Sequence, residues 1–173
     1  MSRKYKILAI VSPVIILLDQ ITKQMILDRF FLHESVPVIE GFFSLTYIRN
    51  TGAAFGMLAD LDPAIRVPFF FVVPVIALVV IAYLFRSLEP KNILFSSALS
   101  LVCGGAIGNL VDRVRHGYVV DFLDFFWGKH HFPAFNVADS AICVGVFFLM
   151  LDMFINGDHS SDQSSKRKKK KAR

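Results

Sequence analysis

The stretch VPFFFVVPVIALVVIAYLF, residues 67–85, decides the fold, because nineteen residues pass without one charged side chain. At about 1.5 Å of rise per residue, a helix of that length reaches the roughly 30 Å of a bilayer's hydrocarbon core. Pro74 predicts a kink rather than a break, since membrane helices tolerate proline where neighbours satisfy the freed carbonyl. Working outward, residues 93–111 form a second uncharged run and residues 137–155 a largely apolar one that carries Asp139 and Asp152. Toward the amino terminus, residues 7–18 are apolar apart from Ser12 and Pro13, behind the basic Arg3, Lys4 and Lys6. That opening is like a secretory signal, but Asp19, Gln20, Thr22 and Lys23 follow where a cleavage site needs small residues. Residues 7–25 therefore read as an uncleaved membrane helix.

Composition agrees. Of 173 residues 54% are hydrophobic, and the mean hydropathy of +0.54 is too high for an ordinary soluble domain. The formal net charge of +5 is carried entirely by the end of the chain from Asp158, which has seven basic residues and two acids. The remainder is neutral, which speaks against a nucleic-acid-binding body. Cys103 and Cys143 both lie in apolar runs and are expected to pack as small hydrophobes, with no disulfide. The expected organisation is one membrane-embedded domain, 1–157, followed by a disordered basic tail, 158–173. Twelve of the nineteen lysines and arginines fall in the amino terminus, the connection 86–91 and the tail, so both termini are expected to be cytoplasmic.

Between the first two helices, residues 26–65 are too long for a bare hairpin. Phe43, Leu45 and Tyr47 alternate with Ser44 and Thr46 in residues 42–48, as in a half-buried strand. Asn50, Thr51 and Gly52 follow as a turn, and AAFG at 53–56 is a second apolar piece. The fold class expected is an all-α membrane protein of four transmembrane helices with a small extracytoplasmic β-sheet. Gly104 and Gly108, at GxxxG spacing, point to close helix packing inside the bundle.

Acidic residues stand out against this apolar background. Asp19 and Lys23 are four apart and share a helix face, so they can pair inside the bundle. At the outer end, Asn109, Asp112 and Arg113 close the third helix, Asn136 and Asp139 open the fourth, and Asp121 lies on the loop between them. Two neighbouring carboxylates tend to share a proton, and such a pair can activate water and protonate a carbonyl without metal or cofactor. Asp112 and Asp124 are also candidates for the pair. Plainer roles exist too: Asn136 as a helix cap with Asp139 in the first turn, Asp121 and Asp124 as solvated loop acids, Asp112 as a partner of Arg113 or Arg115.

Five blocks carry a resemblance: DQITK at 19–23, NTGAAFG at 50–56, GGAIGNLVDR at 104–113, GYVVDF at 117–122 and FPAFNVADSAI at 132–142. In this order they resemble the signature blocks of lipoprotein signal peptidase, signal peptidase II. The resemblance implies an aspartyl endopeptidase of the bacterial inner membrane that cuts prolipoproteins before a diacylglyceryl-modified cysteine, at the outer face. It implies Asp121 and Asp139 as catalytic acids, and Asn50, Gly52, Asn109, Arg113 and Asn136 as residues that line or support the site. Asp19 and Lys23 correspond to a polar pair below it. The implied partners are the lipid-modified substrate and membrane lipid, with no nucleic acid, no cofactor and a monomeric enzyme. Phe122, Phe125, Phe126 and Trp127 are read as a gate over the site or as interfacial anchors. No HExxH, G-x-S-x-G or GxGD motif occurs. The alternative from another class is a small proton-coupled transporter, although acids clustered at one end fit it poorly. A non-catalytic membrane scaffold is the third reading.

Overall fold

The computed structural model of the chain describes residues 2–52, 62–89 and 91–171. Each apolar run is a helix: α1 (Arg3–Arg29), α2 (Pro63–Ser87), α3 (Ile93–His116) and α4 (Val137–Lys171). All four contain a stretch long and apolar enough to cross a membrane. The helices overrun the sequence boundaries because charged and polar residues can continue a helix beyond the hydrocarbon. α2 passes Pro68 and Pro74 without a break. α4 continues past its span, Val137–Ile155, to Lys171, through the segment expected to be a disordered tail. Lysine, arginine and glutamine are good helix formers, and extending an existing helix avoids the cost of nucleation.

Polarity is arranged for lipid as solvent. Ile10, Leu17, Val79 and Phe154 face outward, while Asp19, Lys23, Asp112 and Asn136 are buried inside. α3 is the central helix, packed against α1, α2 and α4. Its small residues permit that: a Cβ on Gly104 would meet Ile15 and Ser12 of α1, and one on Gly105 would run into the Ala138 carbonyl of α4. The GxxxG pattern is thus internal packing, as expected. Because the obstacle at Gly105 is backbone, Gly105→Ala is expected to cost about 2–3 kcal/mol by overpacking, read as a lowered thermal midpoint in detergent. An unchanged midpoint would mean that α3 and α4 can part freely.

At the opposite end α2 is tied to α1 by Lys4, whose Nζ donates to the Phe85 and Leu88 carbonyls, each at 2.6 Å. Ile81, Phe85 and Leu99 form the core there. Neither cysteine is fully buried: Cys103 is half-buried against the Ile81, Phe85 and Leu99 core, and Cys143 is exposed.

The sheet is four-stranded, antiparallel and ordered β1 (Ser35–Ile39), β2 (Phe43–Asn50), β3 (Val119–Trp127) and β4 (His130–His131). The expected β-rich segment 26–65 supplies only half of it; residues 53–61, including the AAFG piece, lie outside the described residues. The other half comes from the α3–α4 connection, read from sequence as a loop. Residues 119–127 are rich in valine and phenylalanine and bounded by Gly117 (φ 78°) and Gly128 (φ 60°), which suit strand and turns respectively. Alternation in β2 is broken by a bulge between Leu45 and Ile48, so Ser44, Thr46 and Tyr47 are all buried. Tyr47, Val120, Phe122 and Ile26 form a second core between sheet and bundle.

Candidate active site

Asp121 stands on β3, opposite Ile48 of β2, and is 2% exposed. Two side-chain amides hold it: Asn50 Nδ2 donates to Oδ2 at 2.8 Å and Asn136 Nδ2 to Oδ1 at 2.7 Å. Asn50 reaches it because both lie on paired strands, and Asn50 Oδ1 in turn accepts from the Gly52 amide at 2.9 Å. Burial, and then the charge of Asp139, push the Asp121 carboxyl up to about 7, against the two amide hydrogen bonds and Lys23, which pull it down.

Asp139 is the third residue of α4. Asn136 Oδ1 accepts from the Asp139 amide at 2.9 Å and the Asn136 amide donates back to Asp139 Oδ2 at 3.3 Å, a reciprocal N-terminal cap. The plain capping role is therefore real, and it coexists with a second one. Asn109 Nδ2, from α3, donates to Asp139 Oδ1 at 2.7 Å. Asn136 is the residue common to both acids, bound to Asp121 through its side chain and to Asp139 through cap geometry.

Asp121 and Asp139 open into one cavity of about 440 Å³, with Asn50, Gly52, Asn109 and Arg113 also on its wall. Arg113 donates from Nη1 to the Asn109 carbonyl at 3.3 Å, with its guanidinium 5.2 Å from the centre of the Phe70 ring of α2. The apolar wall is Phe132, Pro133, Ala134 and Phe135, together with Val119, Ile142 and Cys143. Of the four aromatics read as a gate, none lines the cavity. Phe122 is buried in the core, Phe125 stacks on Phe43 and Phe135, Phe126 stacks on His131, and Trp127 is exposed at the hairpin tip. Sequence reasoning took the first cluster after Asp121 and passed over Phe132 and Phe135, because nothing in the letters shows that the β3–β4 hairpin turns the chain back over the acids.

Below the acids, Lys23 Nζ meets Asp19 Oδ2 and Asp112 Oδ2, each at 2.9 Å. The Asp19–Lys23 pair is as expected, and both residues face the bundle interior. Asp112 pairs with this lysine of α1 and not with Arg113 or Arg115, which lie on other faces of its own helix. Asp124 takes His131 Nδ1 at 2.9 Å on the hairpin, away from the cavity. Seven of the residues singled out from sequence thus converge on one site, with Asp19 and Lys23 directly beneath.

Comparison with known proteins gives a consistent picture. A family described as signal peptidase (SPase) II matches residues 11–155. A lipoprotein signal peptidase of Syntrophotalea carbinolica is 50% identical over 154 residues, 89% of this chain and 94% of that protein. Another, from Geobacter sulfurreducens, is 53% identical over 153 residues, 88% and 94% of the two chains. Among solved structures, a bacterial membrane enzyme determined at 2.3 Å superposes with a TM-score of 0.78 at 32% identity, covering 92% of this chain and 95% of that one.

Proposed function

The chain belongs to the signal peptidase II family and is a multi-pass bacterial membrane protease that removes signal peptides from prolipoproteins; from that premise we propose that Asp121 and Asp139 act as an aspartyl pair that cuts before the lipid-modified cysteine. The observation that carries this is the pairing itself: two buried carboxylates on one cavity wall, joined by the single residue Asn136. The transporter and scaffold readings have no comparable support.

Raised to about 7 by burial and by the charge of Asp139, Asp121 suits the part of proton holder near neutral pH, which gives Asp139 the part of base in the mechanism we propose. Asp139 takes a proton from water as the water oxygen adds to the scissile carbonyl carbon, while Asp121 gives its proton to the carbonyl oxygen. In the second step the carbonyl re-forms, its hydroxyl proton returns to Asp121, the C–N bond breaks and Asp139 delivers its proton to the leaving amine. Asn50, Asn109 and Asn136 hold the two carboxylates in register throughout, and Arg113 adds a positive charge to the cavity wall.

The topology proposed is both termini cytoplasmic in the inner membrane, with the site at the outer face and the enzyme acting as a monomer. A diacylglyceryl-modified cysteine keeps its acyl chains in the outer leaflet, which would present the adjacent peptide bond at the depth of α4's first turn. The apolar cavity wall and the exposed helix faces suit that lipid. With purified protein, a diacylglyceryl-modified prolipoprotein is expected to be cut immediately before the cysteine, in the presence of chelators, and the unmodified precursor at least about tenfold more slowly. Equal rates for the two would remove the lipid from the recognition argument.

A further inference from the structure

The buried cluster below the acids reaches each of them at the residue immediately preceding it in the chain. Asp112 Oδ2 accepts from the Val120 amide at 3.0 Å, one residue before Asp121. Asp19 Oδ1 accepts from the Ala138 amide at 2.9 Å, one residue before Asp139. Lys23 joins these two carboxylates, and its ammonium sends a third bond of 2.9 Å to Asn109 Oδ1. An ammonium has three donors and no acceptor, so all three are used. Because it can only donate, it turns the Asn109 oxygen toward itself and the Asn109 NH₂ toward Asp139 Oδ1.

We propose that Lys23, with Asp19 and Asp112, is a yoke that sets the separation and orientation of the two catalytic carboxylates, a positioning role that rests on the aspartyl-pair reading above. Asp121 and Asp139 sit on separate elements, β3 and α4, with a whole hairpin between them. Asn136 links the two at the carboxylates themselves, while α1, through Lys23, ties the backbone just ahead of each acid to one common reference. A packing ion pair would need only Asp19 and Lys23 on their own helix. Here Asp112, Asn109 and the two backbone amides are recruited as well, all directed toward the acids. Gln20 Nε2 completes the cluster with 2.9 Å to Asp112 Oδ1 and 3.2 Å to Asp19 Oδ2, so each carboxylate oxygen has a partner. Buried charges persist only when satisfied in this way.

The test is kcat and KM for a diacylglyceryl-modified prolipoprotein, with thermal midpoints in the same detergent, for the wild type, Lys23→Met, Asp112→Asn and Asp121→Asn. Misplacing reacting groups by about 1 Å costs up to about 100-fold. Lys23→Met and Asp112→Asn are therefore expected to lower kcat roughly 10–100-fold, assayed below their midpoints, with KM within about twofold. Asp112→Asn keeps shape and an acceptor oxygen, and it decides the matter if Lys23→Met does not fold. Wild-type kcat in either folded variant overturns the yoke. So does a KM that rises in step with the loss of kcat, because then the cavity rather than the geometry of the acids has been damaged. If Asp121→Asn cut at the wild-type rate, the pair itself would fall, whatever the other two variants did.

Discussion

Asp121→Asn and Asp139→Asn are each expected to lower kcat for lipid-modified prolipoprotein by on the order of 10⁴-fold, with the protein still folded. Either change removes a group that must both hold and release a proton, and an amide does neither at accessible pH. The packing cost is modest. Asn is nearly isosteric with Asp, and at each site one oxygen remains to accept, from Asn50 or Asn136 at position 121 and from Asn109 at position 139. The amide NH₂ then opposes one donor, a loss of about 1–3 kcal/mol for an unsatisfied buried group. Offsetting it, a carboxylate that burial and its neighbour already disfavour is no longer ionised at position 121. Asp124→Asn supplies the contrast. Its carboxylate meets His131 on the hairpin and does not line the cavity, so its rate is expected to stay within about threefold of wild type. Full activity in Asp121→Asn or Asp139→Asn, or a 10⁴-fold loss in Asp124→Asn, would reverse the assignment of the pair.

Most of the bundle was legible because lipid imposes a simple rule: a run of nineteen apolar residues has little to be but a spanning helix, and α4 begins at Val137 where the sequence put it. The positions of Asn109, Arg113, Asn136 and Asp139 followed from counting along those helices. The sheet was only half legible. β2 announced itself by alternation, but β3 carries two aspartates and a run of aromatics that drew the reading toward chemistry, although Val119 and Val120 between two turn glycines were a strand signal. Asp121 is thereby a strand residue with a fixed register against β2, which a loop would not have given it. The pairing of Asp112 with Lys23 was out of reach for a different reason. A carboxylate's partner in three dimensions depends on which helix faces meet, and the arginine next in sequence points elsewhere.

Asn136→Ala tests the link between the acids, and its effect on pH dependence is opposite to its effect on rate. At the rate plateau kcat is expected to fall by about 10²–10³-fold, as when a preorganised donor is lost from a catalytic centre. Two things go at once: the 2.7 Å bond to Asp121, and the cap whose Oδ1 holds the Asp139 amide. The cap alone accounts for about 1 kcal/mol of stability. On the mechanism proposed above the active form has Asp121 protonated and Asp139 ionised, so the rate is expected to decline as pH rises through about 7, where Asp121 loses its proton. The Asn136 bond favours ionised Asp121 and therefore pulls that value down; removing it leaves burial and the Asp139 charge less opposed. The alkaline limb of the slow variant is consequently expected to move to higher pH, so that its activity relative to its own plateau outlasts that of the wild type. A limb that moved to lower pH would mean that the group titrating there is not Asp121 held by Asn136, and one that stayed in place would mean that the amide shapes the pair without setting where its proton resides.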